Sequence, residues 1–349
     1  MNGVLVVDKP AGLTSHDVVN RVRRVLRQRS VGHLGTLDPM ATGVLPLVTG
    51  SLTRLAQFYT KAEKAYEGTV RFGFSTDTYD AQGEPTSPPQ QIVLRADEVE
   101  ALAAHFRGPI EQMPPPFSAK KIHGIPAYKL ARKHKEVILN PVKVEIKEFE
   151  ILGVEADRAR FRARVASGTY MRSVAHDMGQ RLGCGAHLES LRRIAVAEFT
   201  LADAHTLEAI EAMKSDAPKT EGCLSEEAHE YHPDRSKECY SVRSLAFPEE
   251  RPSGVEGPAV EEISFEDAIA GVFFHPRKLL PQFPCVTADE LNAARIRAGR
   301  TVNLPELSRS RQVKVFYGQR ELLAIATRVA GTLFHPGIVF VNEPSSQSR

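Results

Sequence analysis

One short segment concentrates residue types that could do chemistry. Residues 32–43 read GHLGTLDPMATG and place an imidazole, His33, and a carboxylate, Asp38, in a loop stiffened by glycine and proline. A carboxylate held in this way can act as a nucleophile or as a general base. An Asp-Pro pair also forms ordinary turns. The residues of this segment alone leave both interpretations of Asp38 open.

Other chemistries have little support in the sequence. There is no phosphate-binding glycine loop, no dinucleotide glycine fingerprint, no paired Cys-x-x-Cys and no His-Glu-x-x-His. We therefore expect no cofactor and no catalytic metal. Four residues of suitable type do fall within 17 positions, which leaves a structural zinc site open against a solvated insertion. These residues are Cys223, His229, His232 and Cys239.

The apolar pattern predicts the elements that must position Asp38. Strands are expected at residues 3–8, 66–73, 142–152 and 158–165. In the last of these, arginine alternates with Ala, Phe and Val, which predicts one buried face and one face of guanidinium groups. Helices are expected after a Thr14 cap, over residues 96–107, and from a Thr169 cap to about Leu182. Residues 32–50 are expected to be rich in loops. The pattern predicts an α+β fold, with flanking helices on a mixed, mainly antiparallel central sheet.

The charge distribution divides the chain. Net charge is only +2, but residues 211–262 hold 13 acidic and 6 basic residues, a net of −7, so the remainder carries +9. We expect residues 215–262 to be an acidic, disordered insertion in a domain spanning 1–282. A small β-rich domain follows at 283–345, with a helix capped by Thr287 and Glu290 and with strands near 312–317, 322–329 and 337–341. A basic body permits a polyanionic partner.

The composition also bounds where the protein works. No run of about 18 apolar residues occurs, and the apolar stretch at the start of the sequence is too short for a signal peptide. Four scattered cysteines do not suggest a disulfide framework. These features favour a cytoplasmic protein with no membrane association.

Seven ordered motifs resemble the TruB family of tRNA pseudouridine synthases. Besides GHLGTLDPMATG, they are VDKPAGLTS (7–15), KAYE (64–67), TDTYDAQG (76–83), SGTYMRS (167–173), LGCGAHL (182–188) and LRR (191–193). The resemblance covers about residues 1–210. It implies the pseudouridine synthase fold, no cofactor, and isomerisation of uridine-55 in the T-arm loop of tRNA.

The resemblance also assigns roles at the site. It makes Asp38 the essential carboxylate, attacking C6 of the base or C1′ of the ribose, or acting as a base on a glycal route. Arg172 matches the arginine paired with this carboxylate, and Tyr66 matches the tyrosine stacked on the base. Substrate-binding roles are likewise implied for four further residues, namely Leu191, His33, Tyr170 and Lys9.

RNA contacts are expected outside this centre. Residues 112–138 resemble the family's RNA-binding thumb, and its phosphate contacts are expected from Lys120, Lys121, Arg132 and Lys133. The C-terminal domain stands where the family has a PUA-like RNA-binding module. The layout resembles stand-alone bacterial members, which implies a monomer acting on the tRNA T arm without a guide RNA. A non-catalytic RNA-binding protein and an N-glycosidase that releases free uracil are the alternatives.

Overall fold

Seventeen strands lie in the part of the chain that the structure describes, a computed structural model covering residues 1–118, 121–122, 125–126, 139–213, 265–306 and 308–340. In chain order they are β1 Gly3–Lys9, β2 Val31–His33, β3 Thr42–Thr49, β4 Lys64–Phe72, β5 Gly108–Gln112, β6 Lys121–Ile122, β7 Ile125–Pro126, β8 Val142–Glu155, β9 Arg158–Val165, β10 Ala186–Val196, β11 Phe199–Thr200, β12 His205–Thr206, β13 Cys285–Ala288, β14 Val302–Asn303, β15 Gln312–Tyr317, β16 Glu321–Ala330 and β17 Leu333–Val339. The α-helices are α1 Ser15–Leu26, α2 Ala56–Tyr59, α3 Ala96–Ala104, α4 Met171–Leu182, α5 Leu207–Ala212, α6 Phe265–Val272 and α7 Glu290–Arg297.

A ten-stranded mixed sheet forms the body of the protein. Its order is β12-β1-β3-β10-β4-β9-β8-β5, with β2 added on β3 and β11 on β10. Only the pairs β1 with β12 and β3 with β10 are parallel among its described strands. The α+β class with a mainly antiparallel sheet is therefore confirmed. Helices α1, α3, α4 and α5 contribute buried side chains to one apolar core that they share with the sheet.

Strand β9 has the alternation that its sequence predicts. Ala159, Phe161, Ala163 and Val165 are buried, and the intervening arginines face outward. Strand β3 was not predicted, because it falls in residues 32–50, which were expected to be rich in loops. Its Gly43 and Pro46 resemble turn residues, yet all but one of its residues are buried because neighbouring layers cover both faces.

Helix α1 begins as predicted, whereas the predicted cap of α4 is wrong. The Thr14 side chain accepts from the Asp17 amide and the Asp17 carboxylate accepts from the Thr14 amide, which forms a capping box. In α4 the N-cap residue is Tyr170, without a side-chain cap. The Thr169 hydroxyl instead donates to Ala166 O at 3.0 Å. Gly183 ends α4 in the left-handed conformation (φ 73°), as predicted.

The second sheet has five strands in the order β13-β15-β16-β17-β14. The capping box expected from Thr287 and Glu290 is wrong, because Thr287 lies in β13 and the Asp289 side chain caps α7. The sheet has a core of its own but also contributes to a second cluster with residues of β1 and β3. The bounds 1–282 and 283–345 remain a prediction.

No helix in the described ranges is long and apolar enough to cross a membrane. The acidic segment 215–262 lies outside the residues that the structure describes, as do its Cys223, His229, His232 and Cys239.

Candidate active site

Asp38 lies in the loop between β2 and β3, and the first residue of α1 fixes that loop. The buried Ser15 hydroxyl accepts from Leu37 N at 2.8 Å and donates to Leu37 O at 3.1 Å. On the other side of the carboxylate, Ala41 N donates to Asp38 O at 3.1 Å. Both polar backbone groups of the residue before Asp38 are thus satisfied by one side chain, so the loop has little freedom to move.

Arg193 of β10 holds the same loop from beneath. Its fully buried guanidinium donates to three backbone carbonyls, Val44 O at 2.8 Å and Thr36 O and Gly35 O at 3.1 Å each. Strand β10 can approach this closely because residue 43 is glycine. A Cβ on Gly43 would lie 2.2 Å from Arg193 O, and its φ of +100° disfavours any other residue.

Arg172 makes the strongest contact of the Asp38 carboxylate. The guanidinium is bidentate, with Nε to Oδ2 at 2.8 Å and Nη2 to Oδ1 at 3.1 Å. The Arg172 side chain is 5% exposed, whereas that of Asp38 is 34% exposed. A planar pair of this kind orients the carboxylate and stabilises its charge. The pair therefore presents an oriented anion to solvent while its cation stays buried.

Arg172 is itself held by three further groups. Nη1 donates to Thr78 O at 3.1 Å, and Nη2 donates to Phe117 O at 3.0 Å. The buried Asp80 lies behind it, with Oδ2 3.7 Å from Nε. These contacts explain how a cation is tolerated in the first turn of a helix, where the dipole disfavours positive charge.

A cavity of about 420 Å³ opens beside Asp38. Five residues that the sequence singled out line it together with the carboxylate, and they are His33, Tyr66, Tyr170, Arg172 and Leu191. Aromatic and aliphatic walls with one anion suit a planar, polar ring of moderate size. The arrangement can therefore hold such a ring against an oriented carboxylate that could attack it or remove a proton from it.

Two of the lining groups are neutral near pH 7. Burial lowers the pKa of His33, and the nearby Arg193 lowers it further. Gly35 N donates to its Nδ1 at 3.3 Å, so the proton of the neutral ring is on Nε2. Burial raises the pKa of Tyr170. Its backbone is clamped by the buried Gln112, which accepts from Tyr170 N at 2.8 Å and donates to Tyr170 O at 3.0 Å.

Lys9 is placed differently from the other predicted site residues. It is fully buried, and it is not among the residues that line the cavity. Its Nζ donates to Pro10 O at 2.7 Å and to Pro39 O at 3.2 Å. Burial lowers its pKa to about 8, although the Asp38 charge opposes that shift. In this structure Lys9 braces the Asp38 loop from behind.

Several residues at this site were not assigned roles from the sequence. Ser15, Asp80 and Arg193 each lie inside a quoted motif, so the motifs themselves were the available signal. Lys64 also lines the cavity, and burial lowers its pKa to about 8. Gln112 had no such signal, because its partner is the backbone of a residue 58 positions away.

The predicted thumb contacts are largely outside the described residues. Lys120, Arg132 and Lys133 fall in gaps, and for Lys121 only the backbone, in the short hairpin of β6 and β7, is described.

Comparison with known proteins identifies relatives along most of the chain. Residues 23–171 match the family described as "TruB family pseudouridylate synthase (N terminal domain)", and residues 172–226 match "tRNA pseudouridylate synthase B C-terminal domain". A protein named tRNA pseudouridine synthase B from Solibacter usitatus is 45% identical over 342 residues, covering 97% of this chain and 100% of the relative. One of the same name from Opitutus terrae is 49% identical over 213 residues, covering 61% and 88%.

Solved structures share the fold at lower identity. An H/ACA RNP bound to a substrate RNA containing 2′-deoxyuridine matches with a TM-score of 0.62 and 20% identity, covering 97% of this chain and 85% of that chain. An archaeal box H/ACA Nop10-Cbf5 complex matches with a TM-score of 0.60 and 22% identity, covering 97% and 86%. At this identity the likeness concerns the fold alone.

Proposed function

The chain belongs to the TruB family of pseudouridylate synthases, and we propose that it is a tRNA pseudouridine synthase that isomerises uridine-55 in the T-arm loop. Asp38 is the essential carboxylate and acts on a uridine flipped out of the loop. The observation that carries the proposal is the bidentate ion pair of Arg172 with Asp38 at the mouth of an aromatic cavity.

The reaction depends on a carboxylate that is held in a fixed position. The glycosidic bond from C1′ to N1 breaks, the base turns, a new bond joins C1′ to C5, and the proton on C5 leaves as N1 gains one. A carboxylate is a weak nucleophile, so its rate depends on being held close to its target. The Ser15 and Arg193 contacts restrict the loop, and Arg172 restricts the carboxylate itself.

The cavity walls suit an extruded base. Unstacking a nucleotide costs a few kcal/mol, which stacking and apolar contacts in the pocket must offset. Tyr66 offers an aromatic ring and Leu191 an apolar surface at the cavity. The neutral His33 and Tyr170 add polar groups without adding charge beside the carboxylate.

The proposed substrate is tRNA alone, bound by a monomer without a guide RNA. The named relatives in Solibacter usitatus and Opitutus terrae support a tRNA substrate. The predicted thumb would bind backbone phosphates through Lys120, Lys121, Arg132 and Lys133, and the second sheet would add a PUA-like RNA-binding surface. Size-exclusion chromatography of the protein with and without an unmodified tRNA transcript tests the one-to-one stoichiometry.

The test of activity is incubation of the protein with unmodified tRNA, followed by carbodiimide-blocked reverse transcription to map pseudouridine. We expect one new stop, one nucleotide on the 3′ side of position 55, and its loss in a transcript with cytidine at position 55. Release of free uracil would instead indicate an N-glycosidase. Binding of tRNA without any stop would indicate a non-catalytic RNA-binding protein.

Asp38→Asn provides the matched control for this assay. It keeps the size of the side chain, but it removes the charge and one of the two hydrogen bonds that Asp38 accepts from Arg172. We expect no detectable turnover and tRNA affinity within a few-fold of the unaltered protein. Substantial turnover by Asp38→Asn would contradict the catalytic role of Asp38.

A further inference from the structure

The outward face of β9 carries a row of four arginines, Arg158, Arg160, Arg162 and Arg164. Three of them have carboxylate partners. Arg158 donates to Glu189 at 3.0 Å, Arg162 donates to Glu67 at 2.7 Å, and Arg164 pairs with Glu148. Among the described residues, Arg160 has no hydrogen bond and no ion pair to an acidic side chain.

The register of the sheet explains this difference. Strand β8 places Glu155, Glu150 and Glu148 opposite Arg158, Arg162 and Arg164, but it places Gly153 opposite Arg160. On the other side, β4 places Glu67 opposite Arg162 and Thr69 opposite Arg160. Directly opposed residues in an antiparallel pair share a face. The charges of Arg158, Arg162 and Arg164 are therefore balanced by glutamates on the neighbouring strands, whereas the charge of Arg160 is not.

The absence of a side chain at Gly153 leaves room for the Arg160 guanidinium. A Cβ on Gly153 would lie 3.2 Å from Nη2 and 3.8 Å from Nε. The guanidinium lies over bare backbone and is exposed to solvent, and no group in the described ranges accepts from its donors. Unsatisfied charged donors at a surface are available to an anion, and a planar guanidinium matches phosphate geometry.

Arg160 faces a groove of about 440 Å³ that adjoins the active-site cavity. Leu191, which is proposed to contact the target base, is the one residue in the described part of the chain that lines both the groove and the cavity. The other charged groups that line the groove are Glu67, Glu189 and Arg192. Each has a partner, since Arg162 holds Glu67, Arg158 holds Glu189 and Asp8 holds Arg192.

We infer that Arg160 binds a backbone phosphate of the RNA substrate, in a strand segment that leaves the cavity past Leu191. This inference rests on the proposed function, since the RNA is the source of the phosphate. The contact positions the RNA and takes no part in the chemistry, because it lies beyond the residues that hold Asp38.

The test compares tRNA affinity at several salt concentrations in Arg160→Gln and in the unaltered protein. Loss of one phosphate contact should lower the slope of log affinity against log salt by about 0.7–0.9. Relative to 1 M salt, that change weakens binding by roughly 5- to 8-fold at 0.1 M salt. Turnover at saturating tRNA should be unchanged, and Arg160→Lys should recover the slope because it keeps the charge.

The matched control is the double variant Arg162→Gln with Glu67→Gln, which removes a guanidinium together with its carboxylate from the same face. Its slope should equal that of the unaltered protein. The inference is overturned if Arg160→Gln keeps the full slope, if the double variant loses as much slope, or if Arg160→Gln lowers saturating turnover at normal affinity. Failure of the unaltered protein to modify tRNA would instead refute the proposed function.

Discussion

The Asp38 carboxylate is oriented and stabilised by a side chain from a distant part of the chain. Arg172 lies 134 positions away in sequence and gives both of its Asp38 contacts from one planar group. The same guanidinium binds Thr78 O and Phe117 O, so it joins three loops around the carboxylate. Its geometry is therefore as important as its charge.

Arg172→Lys should lose at least about tenfold in turnover number, because one ammonium cannot reproduce the bidentate contact and the two carbonyl contacts. Steady-state kinetics with saturating tRNA measure this directly. The control is Arg181→Lys on the same helix, where the guanidinium lies 5.5 Å from the centre of the Phe106 ring. Normal turnover by Arg172→Lys would mean that the pair is only structural.

Lys9 makes the stability of the fold depend on pH. Its pKa is lowered by burial to about 8, from an ordinary value of 10.5. Between these values the unfolded chain binds a proton that the folded chain does not, so stability rises with pH across that window. Below pH 8 both states are protonated and the contribution is constant.

We therefore expect the unaltered protein to gain roughly 1–3 kcal/mol relative to Lys9→Met when the pH is raised from 7 to 9.5. Urea unfolding of both proteins at the two pH values measures the difference. Lys64, whose pKa is also lowered to about 8, contributes equally to both proteins and cancels. Lys61→Met, which alters an exposed lysine, should show no such change. A pH-independent difference for Lys9→Met would contradict the assignment.

At the scale of elements, two adjacent residues at the start of α1 have different roles: one caps the helix and the other binds the Asp38 loop. Thr14 caps the helix through Asp17. Ser15 points the other way and binds both polar groups of Leu37, the residue before Asp38. The sequence signal for the cap was clear, whereas the task of Ser15 depends on a loop 22 residues away.

Ser15→Ala should lower both stability and turnover. It leaves the buried N–H and C=O of Leu37 without partners, at a cost of about 1–3 kcal/mol, and it frees the Asp38 loop. Thr14→Ala is the matched control, since it removes the cap at a cost of about 1 kcal/mol without touching the loop. Thermal unfolding and turnover number separate the two. Equal effects on turnover would show that α1 acts only through its stability.

What the sequence predicts at this scale depends on how local the cause is. The alternation in β9 and the Thr14 cap are set by neighbours in the chain, and both are confirmed. Strand β3 was missed because its burial comes from layers above and below, while its glycine and proline suggested turns. The Thr169 cap was wrong because its hydroxyl binds Ala166 O in the preceding turn. Sequence spacing does not show whether this hydroxyl accepts from a helix N–H or donates to that carbonyl.

At the scale of the whole molecule, the second sheet is packed against the first through a shared apolar cluster. Phe316 and Ile325 belong to it, together with Val4 of β1 and Val48 of β3. A polar contact crosses the same boundary, since Arg54 Nη1 donates to Val339 O of β17 at 3.0 Å. Tyr59 belongs to the shared apolar cluster. Tyr59 also lines the active-site cavity. The sequence does not predict this packing, because the apolar residues of one strand do not reveal which partner covers them.

Phe316→Ala should therefore loosen the ten-stranded sheet as well as the second sheet. Both Phe316 and Phe334 are fully buried, and truncating either should cost about 3–5 kcal/mol. Phe334 lies in the core that belongs to the second sheet alone, which makes Phe334→Ala the control. Under native conditions, amide hydrogen exchange should rise in β1 and β3 for Phe316→Ala but only in the second sheet for Phe334→Ala. If exchange in Phe316→Ala rose only in β13–β17, the two sheets would be energetically independent. If exchange rose in β1 and β3 as well, destabilising the second sheet would also destabilise the packing around Tyr59 at the cavity wall.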